Sequence, residues 1–173
     1  MSAARIRELS QAASDYVRRS VGVLPELEPA SLAYVDHYLA QVDQVQDDVL
    51  GLVASAVGTW FGELLAAQLG GRWRAVGDDP AGWAIDFVGP DERPLLWLHP
   101  VSLAATALRR GEVDGYDASL HPPPELSGRV GELLAAALPV DESYFYSLTG
   151  RYEAIEQILE LLAELRLTTP GRN

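Results

Sequence analysis

With 173 residues, 48% of them hydrophobic and 22% charged, the chain has the size and balance of one globular domain with a buried core, which excludes an extended disordered tail. Its 25 acids against 13 bases give a formal net charge of −12, a surface that repels phosphate and makes nucleic acid an unexpected partner. Cysteine is absent, which excludes disulfide frameworks, thiolate catalysis and Cys-ligated metal. All the bases are arginine and Asn173 is the sole asparagine, a bias expected of a GC-rich bacterial genome. The opening stretch "MSAARIRELSQAASDYVRRS" carries charges throughout and no apolar run of signal-peptide length. It is expected to be a helix of the mature protein, in the cytoplasm.

Over residues 3–21, Ile6, Leu9, Ala13, Tyr16 and Val17 recur at three- and four-residue spacing, the mark of a helix with one buried stripe. "GVLPELEP" breaks it. A second helix is expected from near Pro29, burying Leu32, Val35, Leu39 and Val42 with Tyr38 on its flank. The third, over 47–69, is opened by Gln46 or Asp47 and has two faces fit for burial. Val49, Val53, Val57, Trp60 and Leu64 fall on one side, and Gly51, Ser55, Gly58 and Gly62 on the other. A row of small residues admits a close neighbour, a use that offsets the cost of about 1 kcal/mol for each glycine in a helix. Gly70 and Gly71 then end the helix. This segment is long enough to span a bilayer, but Glu63 interrupts it and no aromatic belt flanks it, so a membrane partner is not expected.

Beyond the two glycines the period changes. Residues 72–76, 83–88 and 94–99 are short, rich in aromatic and aliphatic residues, and separated by "GDDPAG" and "GPDERP". They are expected to form a three-stranded antiparallel meander, with Trp73 and Ala75 on one face of their strand and Trp83, Ile85 and Phe87 on one face of the next. Pro100 opens a fourth helix to about residue 110, ended by Gly111. "EVDGYDASLHPPP" reads as a loop with a short edge strand near 116–120. A fifth helix carries Leu126, Val130, Leu133, Leu134 and Leu138. "VDESYFYSLTG" is a connecting loop, and a last helix runs over about 151–167. The fold class expected is α+β, a small three-stranded antiparallel meander packed by five or six helices with 47–69 at the centre. One domain covers 1–167, and 168–173 form a flexible C-terminal tail.

Candidate chemistry is sparse. Glu63 is the only charged residue between Asp48 and Arg72, so it is either a carboxylate with a shifted pKa or, more plainly, an ion-pair partner of Arg72, Arg74 or Arg151 or a group at the helix edge. His99 and Ser102 in "LHPVS" lie at a strand-to-helix junction but without the glycine-flanked elbow of a nucleophilic serine. His37 and His121 form no ligand pair, and the acids of "GDDPAGW" and "GPDE" lack the alternating spacing of a calcium loop, so no metal and no cofactor are expected. No residue is assigned a catalytic role. On the last helix Glu153, Glu156, Glu160 and Glu164 share one face, opposite Ile155, Ile158, Leu159, Leu162 and Leu165. Such a face is either simply solvated or a docking surface for a basic partner. Before it, Tyr144, Phe145 and Tyr146 either anchor the helix on the core or form a recognition patch.

Across residues 47–112, "FGELLAAQLGGRW", the short strands and "LHPVSLAATALRRGE" resemble bacterial domains of unknown function built from a helix with "G-E", a terminal "G-x-x-W", a strand pair and a "P-x-S" helix. The resemblance implies a helix–meander–helix layout and carries no activity onto Glu63 or Ser102. The leading expectation is a non-enzymatic acidic interaction protein, an adaptor, regulator or immunity-type partner of a basic protein, using Glu153, Glu156, Glu160, Glu164, Tyr144 and Tyr146. The alternatives are an enzyme or small-molecule sensor with a pocket between sheet and helices around Glu63, His99 and Arg151, and a structural subunit of a larger assembly. Oligomeric state is left open.

Overall fold

The computed structural model describes residues 2–42, 46–136 and 140–168. Helix α1 (Ser2–Val21) buries Ile6, Leu9, Ala13 and Val17 on the stripe its spacing calls for. A 3-10 turn at Pro29–Ser31 leads into α2 (Leu32–Gln41). Tyr38 of α2 is buried rather than flanking, with its ring 6.4 Å from that of Tyr16, whereas Val42 lies just past the helix end and is only half-buried.

Helix α3 (Asp47–Leu69) occupies the centre, between α1 and α4 (Pro100–Arg109). Its mean hydropathy of 1.6 and its length suit a membrane span, but 67% of the apolar window is packed inside the protein. Val53, Val57, Trp60 and Leu64 are buried as expected, while Val49, one turn earlier, is exposed. The small-residue stripe has a definite use. A Cβ added at Gly58 would overlap the backbone of Val101 in α4, and one at Gly62 would overlap the Trp73 ring. The two helix axes approach this closely only because the side chain is missing. Gly70 ends α3 in the left-handed region at φ +73°, with its N–H donating to the Leu65 carbonyl.

Strands β1 (Arg72–Arg74), β2 (Ala84–Val88) and β3 (Pro94–Leu98) form the antiparallel meander in the order β1-β2-β3. Trp73 pairs with Ile85, and Ile85 with Leu98. Ile85, Phe87, Leu96 and Leu98 are buried in the main core. Trp83 precedes β2 and closes a smaller cluster with Ile6 and Leu9, against which Trp73 and Ala75 pack. A sheet this small is stable only when covered; α3 packs on β1 and β2, and α7 (Leu148–Thr168) packs on β3.

Two local expectations fail after β3. Helix α4 ends with Arg110, not Gly111, in the left-handed region (φ 54°). No strand forms over 116–120: Gly115 takes φ 85° and the Asp117 carboxylate accepts the Ser119 N–H, so this stretch turns instead of extending. Edge pairing is displaced to an isolated bridge between Trp97 and His121, whose rings stack at 3.8 Å.

Helix α5 (Ser127–Ala136) buries Val130, and the expectation for Leu138 lies outside the described residues. The supposed connecting loop contains α6 (Glu142–Tyr146), whose N-terminus is capped by the Asp141 side chain on the Ser143 N–H. Helix α7 (Leu148–Thr168) starts three residues earlier than the sequence pattern suggests. Two caps explain the earlier start. The Ser147 hydroxyl accepts the Gly150 N–H at 3.0 Å, and Asp36 of α2 accepts the N–H groups of Leu148 (2.8 Å) and Thr149 (3.0 Å) and the Thr149 hydroxyl (2.5 Å). Burial raises the Asp36 carboxyl above its ordinary value, against the opposing pull of these hydrogen bonds. Seven α-helices thus surround the sheet among the described residues, in an α+β fold. Thr168, assigned from the sequence to a flexible tail, closes α7, and residues 169–173 lie outside the described residues.

Candidate functional site

The structure separates the residues expected to share a pocket. Glu63 projects from α3 toward β1, where its carboxylate accepts the Trp73 indole N–H at 2.6 Å. The same tryptophan ring fills the space left by Gly62, so one turn of α3 supplies both the room and the acceptor. Glu63 has no arginine partner among the described residues; it lies at the helix edge on an open groove with Ile6, Arg7, Trp73 and Arg74. The arginines expected beside it are engaged elsewhere, Arg72 with Glu92 and Arg74 with Asp86. His99 at the β3–α4 junction places Nδ1 3.0 Å from the Trp83 carbonyl and its ring edge-on to Trp97. Ser102 is 2% exposed in the first turn of α4.

Arg151 lies on the opposite flank, in a different cavity. Within α7 the positions Leu148, Arg151, Ile155, Ile158 and Leu162 form one buried stripe. An arginine therefore occupies a core position, 8% exposed. Its guanidinium carbon lies 4.5 Å from the centre of the Phe145 ring and 5.4 Å from that of Tyr146, both from α6. Helix α6 reaches this position because Gly150 lacks a side chain: a Cβ there would strike the Tyr144 carbonyl. The Arg151 Nε is buried without a hydrogen-bond partner, and among the described residues the guanidinium makes no hydrogen bond and no ion pair. Burial pushes it below its ordinary pKa, while the Glu112 carboxylate pulls the other way through space. Arginine nevertheless stays charged at any physiological pH.

The cavity beside Arg151 has a volume of about 620 Å³. Ala118 and Leu120 from the turn before α5, Leu134 of α5, Val140, and Tyr144 and Phe145 of α6 supply an apolar lining, and Ala154 of α7 lies on its floor. Polar character comes from the buried Arg151, from the exposed Glu112 and Glu153, and from Ser119 and Gln157. Glu112 also receives the Tyr146 hydroxyl at 3.4 Å, and burial with this carboxylate nearby raises the Tyr146 phenol.

Of the sequence-selected surface residues, Tyr144 is 39% exposed on α6 and Tyr146 is half-buried beneath Arg151. Tyr146 packs against Arg151, and Tyr144 lines the cavity. Glu153, Glu156, Glu160 and Glu164 are all exposed along α7, with Ile155, Ile158 and Leu162 buried behind them. Only Glu153 also borders the cavity. Nothing in the sequence pattern assigns Glu112, Leu120, Leu134 or Val140 to a site, although Leu134 is expected on the fifth helix. The available signal was Arg151 itself, a charge placed on the apolar period of its own helix. Among the described residues no cluster of three or more histidine, aspartate or glutamate side chains is arranged to hold a metal ion. No family model, curated protein or solved structure matches the chain.

Proposed function

We propose that the protein binds a small molecule in the cavity enclosed by α5, α6, the beginning of α7 and the 112–120 segment. One observation carries this reading: the charged, buried Arg151 guanidinium opens onto an apolar cavity without a hydrogen-bond or ion-pair partner among the described residues. Burying an unpaired charge is costly, and a ligand that pairs with it recovers that cost on binding. A mainly apolar cavity of this volume with few polar groups is what small-molecule sites share. Glu63 and His99 take no part, since each is engaged elsewhere. A fragment screen observed by amide NMR tests the reading. Binding fragments are expected to shift the amides of residues 118–120 and 150–154, and Ala154→Phe, which fills the cavity floor, is expected to abolish those shifts. Fragments that perturb only other regions, or that bind the Ala154→Phe variant unchanged, would remove the site.

The exposed carboxylates of Glu153, Glu156, Glu160 and Glu164 support a second reading, an acidic docking face for a basic protein. None of the four makes an ion pair among the described residues. Replacing Glu156, Glu160 and Glu164 by glutamine is expected to abolish any salt-sensitive association with a basic partner and to leave ligand binding in the cavity intact.

A further inference from the structure

Resting on the cavity reading, the geometry points to the class of ligand: we infer that the site takes a monocarboxylate with an apolar body. The guanidinium carbon lies 4.5 Å from the centre of the Phe145 ring, and the N–H donors of a guanidinium lie in its own plane, along its edge. A carboxylate matches that edge, two oxygens against the forked N–H donors. A neutral ligand leaves the buried charge unpaired, and a cation is repelled by it. The apolar wall of Leu120, Leu134 and Val140 suits a hydrocarbon body. Selection against a second negative charge comes from Glu112 and Glu153, which border the same cavity. One buried cation against two exposed carboxylates admits a single anion and disfavours dicarboxylates and phosphate esters.

The test is calorimetric titration of the full chain with octanoate, 1-octanol, octylamine and octanedioate, in the wild type and in Arg151→Gln and Ala154→Phe. Octanoate is expected to bind at least about tenfold more tightly than the other three, the effect of one charge-assisted interaction. Arg151→Gln is expected to reduce octanoate to the level of octanol, and Ala154→Phe to abolish both. Should Arg151→Gln fail to fold, the ranking of the four probes on the wild type still decides. Octanol or octylamine matching octanoate, or Arg151→Gln binding octanoate as the wild type does, overturns the carboxylate assignment. In either case, loss of binding in Ala154→Phe leaves the cavity itself standing as a site. Octanoate failing to bind the wild type also overturns the assignment, and the amide NMR screen separately decides whether the cavity binds anything else.

Discussion

The two flanks of the molecule treat an isolated charge in opposite ways. On the α3–β1 side, Glu63 has an indole N–H at 2.6 Å, and the glycine before it holds the donating ring in place. On the α6–α7 side, Arg151 sits deeper, 8% exposed, and is met by two aromatic rings but by no acceptor among the described residues. A charge whose partner is built in belongs to the fold, because its removal leaves a specific donor stranded. A charge carried at a core position with no acceptor among the described residues costs the fold its desolvation, and under the proposed function a ligand recovers that cost. The contrast separates a packing device from the site proposed for binding.

The largest expected effect lies on the closed flank. Gly58→Val would drive a branched side chain into the Val101 backbone at the α3–α4 crossing, where neither helix can retreat without opening the core on its other side. Overpacking against backbone is expected to cost at least about 3 kcal/mol. Urea unfolding checks it. A loss under about 1 kcal/mol would show that the crossing adapts and that the closed flank is less rigid than the contact implies.

How much of this contrast was legible in the sequence follows the same division. Helix α3 was legible to its ends, since 23 residues give the period room to show, and the glycine row named the face of close approach. The meander was legible because its turns carry their own chemistry, as with Asp79, which caps the turn after β1 by accepting the Ala81 N–H. Helix α6 was not, because its five residues are too few to display a period. The cavity was not legible either. Its walls come from positions between Glu112 and Gln157 that no local pattern joins, and the lack of an acceptor for Arg151 among the described residues is a fact about neighbours that only the fold assembles. Glu63 was legible as a lone charge, with a position at the helix edge or an arginine partner as the alternatives, but the Trp73 indole as its partner was not legible.

Glu63→Ala comes next in size. It strands the Trp73 indole N–H in a half-buried site and is expected to cost about 1–3 kcal/mol. Glu63→Gln retains an acceptor oxygen and is expected to recover most of that loss. Thermal or urea unfolding of both variants compares them. If glutamine were as damaging as alanine, the charge itself rather than the hydrogen bond would be what the site requires, and the packing interpretation of this flank would fail.

Asp36 joins α2 to the start of α7, beneath the open flank, and offers a smaller, pH-dependent effect. Burial raises its carboxyl above 3.8, so charging it costs the folded state more than the unfolded one. That relative cost is absent below 3.8 and complete once the pH has passed the raised value. Wild-type stability is therefore expected to lose ground to Asp36→Asn as pH rises through this window. The variant also loses a capping hydrogen bond, a roughly constant penalty of about 1 kcal/mol. Unfolding curves for both proteins from acid to neutral pH give the difference directly, and a difference independent of pH would show that Asp36 titrates alike in both states.

The smallest expected change in stability is at the residue whose replacement matters most for the proposed binding. Arg151→Met keeps a long side chain on the buried stripe of α7 and removes a charge that, among the described residues, has no acceptor to leave behind. It forfeits the cation–π contact with Phe145, worth about 0.5–2 kcal/mol, and recovers a desolvation cost of similar or greater size. The net is expected to lie within about 1 kcal/mol of zero. Glu63→Ala, at a less buried site, is therefore expected to be the more damaging of the two, the reverse of what burial alone would predict. Urea unfolding of the pair decides the matter. A loss above about 2 kcal/mol for Arg151→Met would mean that the aromatic pair and Glu112 already compensate the guanidinium, making Arg151 as much a part of the fold as Glu63.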